Sequence, residues 1–156
     1  MAIITMWVLL VLPWASLYFM DKIKIRKYMS VALLATVFST LINQIAWAYN
    51  WWQYKPLLAW DKIIPVYMVY GIFMIGTLWI FALTYGRFWL YLIVNFLVDV
   101  FFGLVLSKIL AALGIRVSGN LTAFQDLVLM TAQGVILYGY QMWQERIFRE
   151  VIPGKP

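Results

Sequence analysis

In NFLVDVFFG, residues 95–103, a single carboxyl group stands in a run that is otherwise fit for lipid. An acid at the bilayer centre costs about 2.5–3.5 kcal/mol on the insertion scale. Three states account for Asp99. It is carried as the neutral acid because desolvation favours the uncharged form; it is hydrogen-bonded to Asn95, Gln133 or a threonine as interhelical glue; or it is ionised beside a cation or a file of water. The last state would be the site of a channel or transporter for a proton, metal ion or small cation.

The neighbours of Asp99 can be placed by helical arithmetic. At about 100° per residue, Asn95, Asp99 and Gly103 share a face. Counting about 1.5 Å per residue from the ends of the apolar runs puts Thr40, Thr77, Asp99 and Gln133 in one middle layer, with Asn43 and Asp126 nearer the outer side. The expected site is therefore a polar layer of Asp99, Asn95, Gln133, Thr40, Asn43 and Thr77, with no lysine or arginine in it. Polar stripes should turn towards the bundle, because unsatisfied polar groups in hydrocarbon are costly. These are Thr36, Ser39, Thr40, Asn43 and Trp47 in one run, Tyr70, Thr77 and Thr84 in another, and Asp126, Gln133 and Tyr140 in a third. Gly103 and Ser107, four apart, form a small-residue face on which another helix could pack closely. Asp126, behind Thr122 and Gln125, reads as helix-start chemistry, several turns in depth from Asp99. Asp61-Lys62 reads as an interfacial charge pair.

Other chemistry is missing from the alphabet itself. The chain has neither cysteine nor histidine, which removes disulfides, thiol nucleophiles and the commonest general base and metal ligand. It has no HExxH and no glycine-rich phosphate loop. No catalytic residue, cofactor or metal site is expected, and the protein is read as a non-enzymatic assembly or accessory component of the membrane.

The elements that must hold such a layer are membrane spans. Of the 156 residues, 65% are hydrophobic and 12% charged, against about 25% charged in soluble domains. Crossing the hydrocarbon takes about 20 apolar residues, and five runs qualify: residues 2–20, 28–49, 64–85, 88–107 and 121–141. The fold class expected is all-α, a single domain over 1–156 built as a bundle of five transmembrane helices. The first run is followed by DKIKIRK rather than a small-residue cleavage site, so it reads as a retained span. Lys22, Lys24, Arg26, Lys27, Arg87, Arg146, Arg149 and Lys155 fall on one side, and Lys55, Lys62, Lys108 and Arg116 on the other. The positive-inside rule then sets the N-terminus outside and the C-terminus in the cytoplasm. The net charge of +6 sits at span ends, where lipid head groups explain it without nucleic acid. QERIFRE continues the last helix along the cytoplasmic surface.

Residues 50–62, NWWQYKPLLAWDK, suit neither a span nor a polar loop. They read as an interfacial aromatic belt or, more sharply, as an outer lid of Trp51, Trp52 and Trp60 hinged at Pro56. A lid would cover a hydrophobic ligand. Five spans enclose little room for a private pore, so a homo-oligomer or a partner membrane protein is expected besides membrane lipids.

DKIKIRKYM before the second run, AYNWW at its end, the turn TYGRF, the acid in the fourth run and LGIRVSGN together resemble a family. It is a group of small, uncharacterised five-span membrane proteins of Bacillus- and Clostridium-type spore-forming bacteria. The resemblance implies a bacterial cell membrane and supplies no activity. The tryptophan-rich sensory (translocator) proteins share length, span number and tryptophan content. Their proline- and tryptophan-containing motif after the first span is replaced here by DKIKIRK, so their ligands are not carried over.

Overall fold

The computed structural model describes residues 1–151, with side chains described through Phe148. Arg149 and Lys155, counted above for orientation, and Glu150 therefore lie outside the described side chains. Five long helices run in sequence: α1 (Ala2–Phe19), α2 (Lys22–Ala48), α3 (Tyr67–Thr84), α4 (Phe88–Ala112) and α5 (Ala123–Val151). The first four are long and apolar enough to cross a membrane. The fifth is the longest, at 29 residues, but Asp126, Gln133 and Gln141 dilute its hydropathy. All three turn inward: Asp126 and Gln133 line an internal cavity, and Gln141 is 1% exposed.

Each helix boundary has a local cause. Asp21 caps α2, its carboxylate accepting the backbone N–H of Ile23 at 2.8 Å, as an N-cap acid should. Along α2, Val31, Ala32, Ala35, Ser39, Asn43 and Ala46 are buried at helical spacing. Thr40 and Trp47 lie at the edge of that arc: Thr40 is half-buried and Trp47 faces outward. α1 is pinned to α3 at Gly71, where any Cβ would run into the backbone carbonyl of Leu9. The Trp14 indole donates to the carbonyl of Tyr70 at 3.0 Å beside that crossing.

Two helices contain wide π-type turns, at Tyr67–Phe73 in α3 and Phe102–Leu106 in α4. A wide turn advances each residue through a smaller angle, so seven-residue spacing across it no longer returns to one face. This is why Tyr70 lies outward while Thr77 and Thr84 turn inward.

The connection after α2 and the connection after α4 pair with each other. Strand β1 (Trp52–Tyr54) and strand β2 (Arg116–Ser118) form a two-stranded antiparallel sheet, with Trp52 opposite Ser118 and Tyr54 opposite Arg116. Asn50 and Trp51 carbonyls accept from Asn120 and Gly119, both at 2.8 Å, and extend the ladder. Gly119 stands where a side chain would meet the Asn50 carbonyl. Asp61 is not a surface partner of Lys62. It is 2% exposed, and its carboxylate accepts the N–H groups of Leu57 and Leu58 at 3.2 and 2.9 Å, closing the loop around Pro56.

The core has two parts. One, around α2, α3, α4 and α5, is aromatic: Tyr28, Phe81, Tyr91 and Tyr138, with Phe81–Tyr91 and Tyr91–Tyr138 centroids at 4.9 and 4.8 Å. The other, beside the sheet, gathers Met6, Tyr67, Met68, Phe102, Leu110 and Ile115. A cavity lies between Phe102 of the second and Leu137 of the first.

Candidate functional site: a charged cavity under the sheet

The turn after α4 decides what the cavity contains. Gly114 adopts φ +67°, the left-handed conformation that ends helices without a Cβ penalty, and the N–H of Ile115 returns to the Leu110 carbonyl at 2.8 Å. The chain therefore doubles back into the bundle. Alternation along the two strands then points Trp52, Tyr54 and Arg116 to one face and Gln53 and Val117 to the other. The inward face roofs a cavity of about 140 Å³, of the size that admits a benzene-sized group or a few waters.

Arg116 is 8% exposed. Its guanidinium carbon lies 5.6, 5.8 and 5.8 Å from the ring centres of Trp52, Tyr54 and Phe102, a cation–π box. Its Nη2 donates to Asp126 Oδ2 at 3.2 Å. Its Nε is buried and has no hydrogen-bond partner among the described residues. A guanidinium offers five donors in a fixed fork, so this pair leaves the head group under-satisfied among the described residues. Desolvation pushes the Tyr54 phenol up to about 12, with Arg116 pulling against it and Asp126 adding to it; the phenol is a neutral hydroxyl at any physiological pH.

Asp99 lines the same chamber and is 7% exposed. Its Oδ2 accepts from Asn95 Nδ2 at 2.9 Å, one turn back on α4, and from Thr131 Oγ1 at 3.4 Å across on α5. Gly134 makes this approach of α4 and α5 feasible: a Cβ there would sit 2.6 Å from Asn95 Nδ2. The Tyr91 hydroxyl donates to the Gly134 carbonyl at 2.7 Å and locks the same contact. Asn43 donates to the Ser39 carbonyl at 2.8 Å and accepts the Trp52 indole N–H at 3.1 Å, tying the roof to α2. Gln133 reaches the Ala35 carbonyl at 3.5 Å, the long limit of such a bond. The Thr77 hydroxyl is spent on the Phe73 carbonyl of its own helix at 2.7 Å.

The sequence-derived layer is thus largely gathered here. Asn43, Thr77, Asn95, Asp99 and Gln133 line the cavity, together with Trp52 of the expected lid. Thr40 does not. Trp51 is half-buried outside it, and Trp60 is 73% exposed, away from the roof. Among the described residues Gly103 packs closely against no helix, since a Cβ there would meet nothing within 4 Å, and the Ser107 hydroxyl turns back to the Gly103 carbonyl.

Two expectations are corrected. The polar layer does contain a cation: Arg116, assigned to an outer loop, is carried inward by the turn at Gly114. Asp99 and Asp126, expected to be separated by depth, line one cavity because it extends along several turns of α4 and α5. Thr131, Tyr54 and Gly134 also escaped the sequence reading. Gly114 before Arg116 was the available signal, since a glycine closing a helix marks a chain reversal; nothing local marked the other three. No family model, curated protein or solved structure matches the chain.

Proposed function

We propose that this is a non-enzymatic, five-span protein of a bacterial cell membrane, with its N-terminus outside, that binds a small amphipathic ligand in the cavity beneath the sheet. The single observation behind this reading is the Arg116 guanidinium, buried, boxed by aromatic rings and lining the cavity with one hydrogen bond, to Asp126, among the described residues. A buried donor without a partner costs about 1–3 kcal/mol, and a ligand oxygen would recover it. Of the roles weighed from the sequence, the hydrophobic-ligand or sensory one gains most from this arrangement. Cation transport loses, because a fixed guanidinium stands in the chamber through which the ion would pass. An assembly role remains compatible, with the open Gly103 side turned to lipid or to another chain.

The test uses the intrinsic fluorescence of the full chain in lipid nanodiscs. A panel of small amphipathic molecules is titrated into wild type and into Trp52→Phe, which removes the reporter in the roof. A saturable change that is present in wild type and reduced in the variant supports binding under the sheet. A flat response across the panel, or identical responses in both proteins, sinks it.

A further inference from the structure

The chamber is not sealed on its flank. A second cleft is cut into the outer surface between α4 and α5, lined by Val100, Gly103 and Leu104 on one side and Phe124 and Leu127 on the other. It shares Asp99, Asp126 and Met130 with the cavity, so the two spaces border the same side chains. Its rim is apolar and outward: Leu104 is 54% and Phe124 73% exposed. Gly103 forms its floor, where a side chain would meet open space. On a membrane-spanning helix this surface meets acyl chains, not water.

We propose that the cavity is loaded sideways from the lipid by a single-chain lipophile with an uncharged oxygen head group, an alcohol or an ester. The head accepts from the Arg116 guanidinium, which lines the cavity and is hydrogen-bonded through one nitrogen to Asp126, and the chain lies in the cleft over Gly103. This rests on the ligand-binding reading above and adds the route and the class of ligand.

The charges around the chamber select the head. The ionisable side chains lining the cavity are Arg116 from the sheet, Tyr54 beside it, Asp99 from α4 and Asp126 from α5. An anionic head would be set against two carboxyl groups, one of them already matched to the guanidinium. A cationic head would compete with Arg116 for the same rings. A neutral oxygen accepts from the guanidinium that lines the cavity and adds no charge to a desolvated site. A hydroxyl can also donate to the carboxyl group of Asp99. Shape agrees: about 140 Å³ holds a head and a few carbons, and the remainder of a chain needs the flank.

The experiment is photolabelling of the full chain in nanodiscs by hexadecanol carrying a diazirine on its chain. Label is expected on peptides covering residues 98–104 and 123–130. Unlabelled hexadecanol should compete about tenfold better than hexadecylamine or hexadecanoic acid, the scale of one good hydrogen bond to a charged group. Gly103→Phe, whose Cβ would meet nothing within 4 Å, puts a ring into the cleft and favours the helix, so it should cut labelling about tenfold or more. Arg116→Gln combined with Asp126→Asn removes both charges together and should abolish the preference among head groups. Labelling spread around the bundle, or unchanged by Gly103→Phe, overturns the lateral route; if Trp52 fluorescence still reports saturation, the binding reading survives it. A preference for the amine or the acid overturns the head-group assignment.

Discussion

Tyr91 and Arg116 are both polar side chains inside the bundle, 1% and 8% exposed, and they are buried in opposite ways. The tyrosine has one hydroxyl, which donates to Gly134 at 2.7 Å, and its ring is enclosed by Phe81 and Tyr138. The arginine has five donors, an ion pair that engages one nitrogen, and a buried Nε without a hydrogen-bond partner among the described residues. One region is complete in itself. The other is held open by chemistry that this chain does not finish, and such violations of local consistency belong at functional sites. The difference divides the molecule into a part that holds and a part that is held ready.

The largest expected effects separate these parts by their rescue, not by their size. Phe81→Ala should cost about 3–5 kcal/mol through a cavity in the aromatic cluster. Arg116→Ala should approach that cost, at about 3 kcal/mol, because Asp126, its side chain only 13% exposed, is left unpaired. Adding Asp126→Leu to an Arg116→Met chain should restore most of that stability, since a buried pair replaced by apolar residues is often neutral, while ligand binding stays lost. No second substitution has a comparable reason to rescue Phe81→Ala. Unfolding in mixed micelles, followed by circular dichroism, measures all four chains. A double variant as unstable as Arg116→Ala would mean that the pair itself organises the sheet end.

A smaller effect tests the seam between the regions. Gly134→Ala places a methyl 2.6 Å from the Asn95 amide. That amide is engaged by Asp99 at 2.9 Å, so it yields only by giving up a bond. Overpacking of this kind costs about 1–3 kcal/mol. Gly103→Ala meets nothing within 4 Å and should be neutral or stabilising by up to about 1 kcal/mol from helix propensity. Equal losses in the two variants, read from the same unfolding curves, would contradict the assignment of Gly134 as the contact glycine.

That contrast also shows how far the sequence could be read. Spacing identified Gly103 as a small residue on the Asp99 face; Asn95 and Asp99 line the cavity, and Gly103 lines the cleft beside it. Spacing could not say which small residue a neighbouring helix would choose, because that depends on the relative register of α4 and α5. Four helices were legible because apolar runs of this length have few alternatives. The sheet was not, since each strand has only three residues and its partner lies more than sixty positions away. Arg116 went with it: a basic residue in a short loop is counted for topology, and only tertiary pairing reveals that it points inward.

The smallest effect concerns the roof and depends on pH. Tyr54 is held by desolvation at a pKa of about 12, above the ordinary value of about 10. The folded protein therefore keeps the phenolic proton more tightly than the unfolded chain does. Its contribution to stability is complete below about pH 10 and is lost as pH rises towards about 12. Tyr54→Phe cannot ionise, so between about pH 9 and pH 11 its stability should fall less than that of wild type, by up to about 1 kcal/mol. The comparison is made between the two chains because other tyrosines titrate in the same window in both. Parallel slopes would place Tyr54 in contact with water and would remove the dry roof from above Arg116, leaving the guanidinium hydrated and the two regions alike.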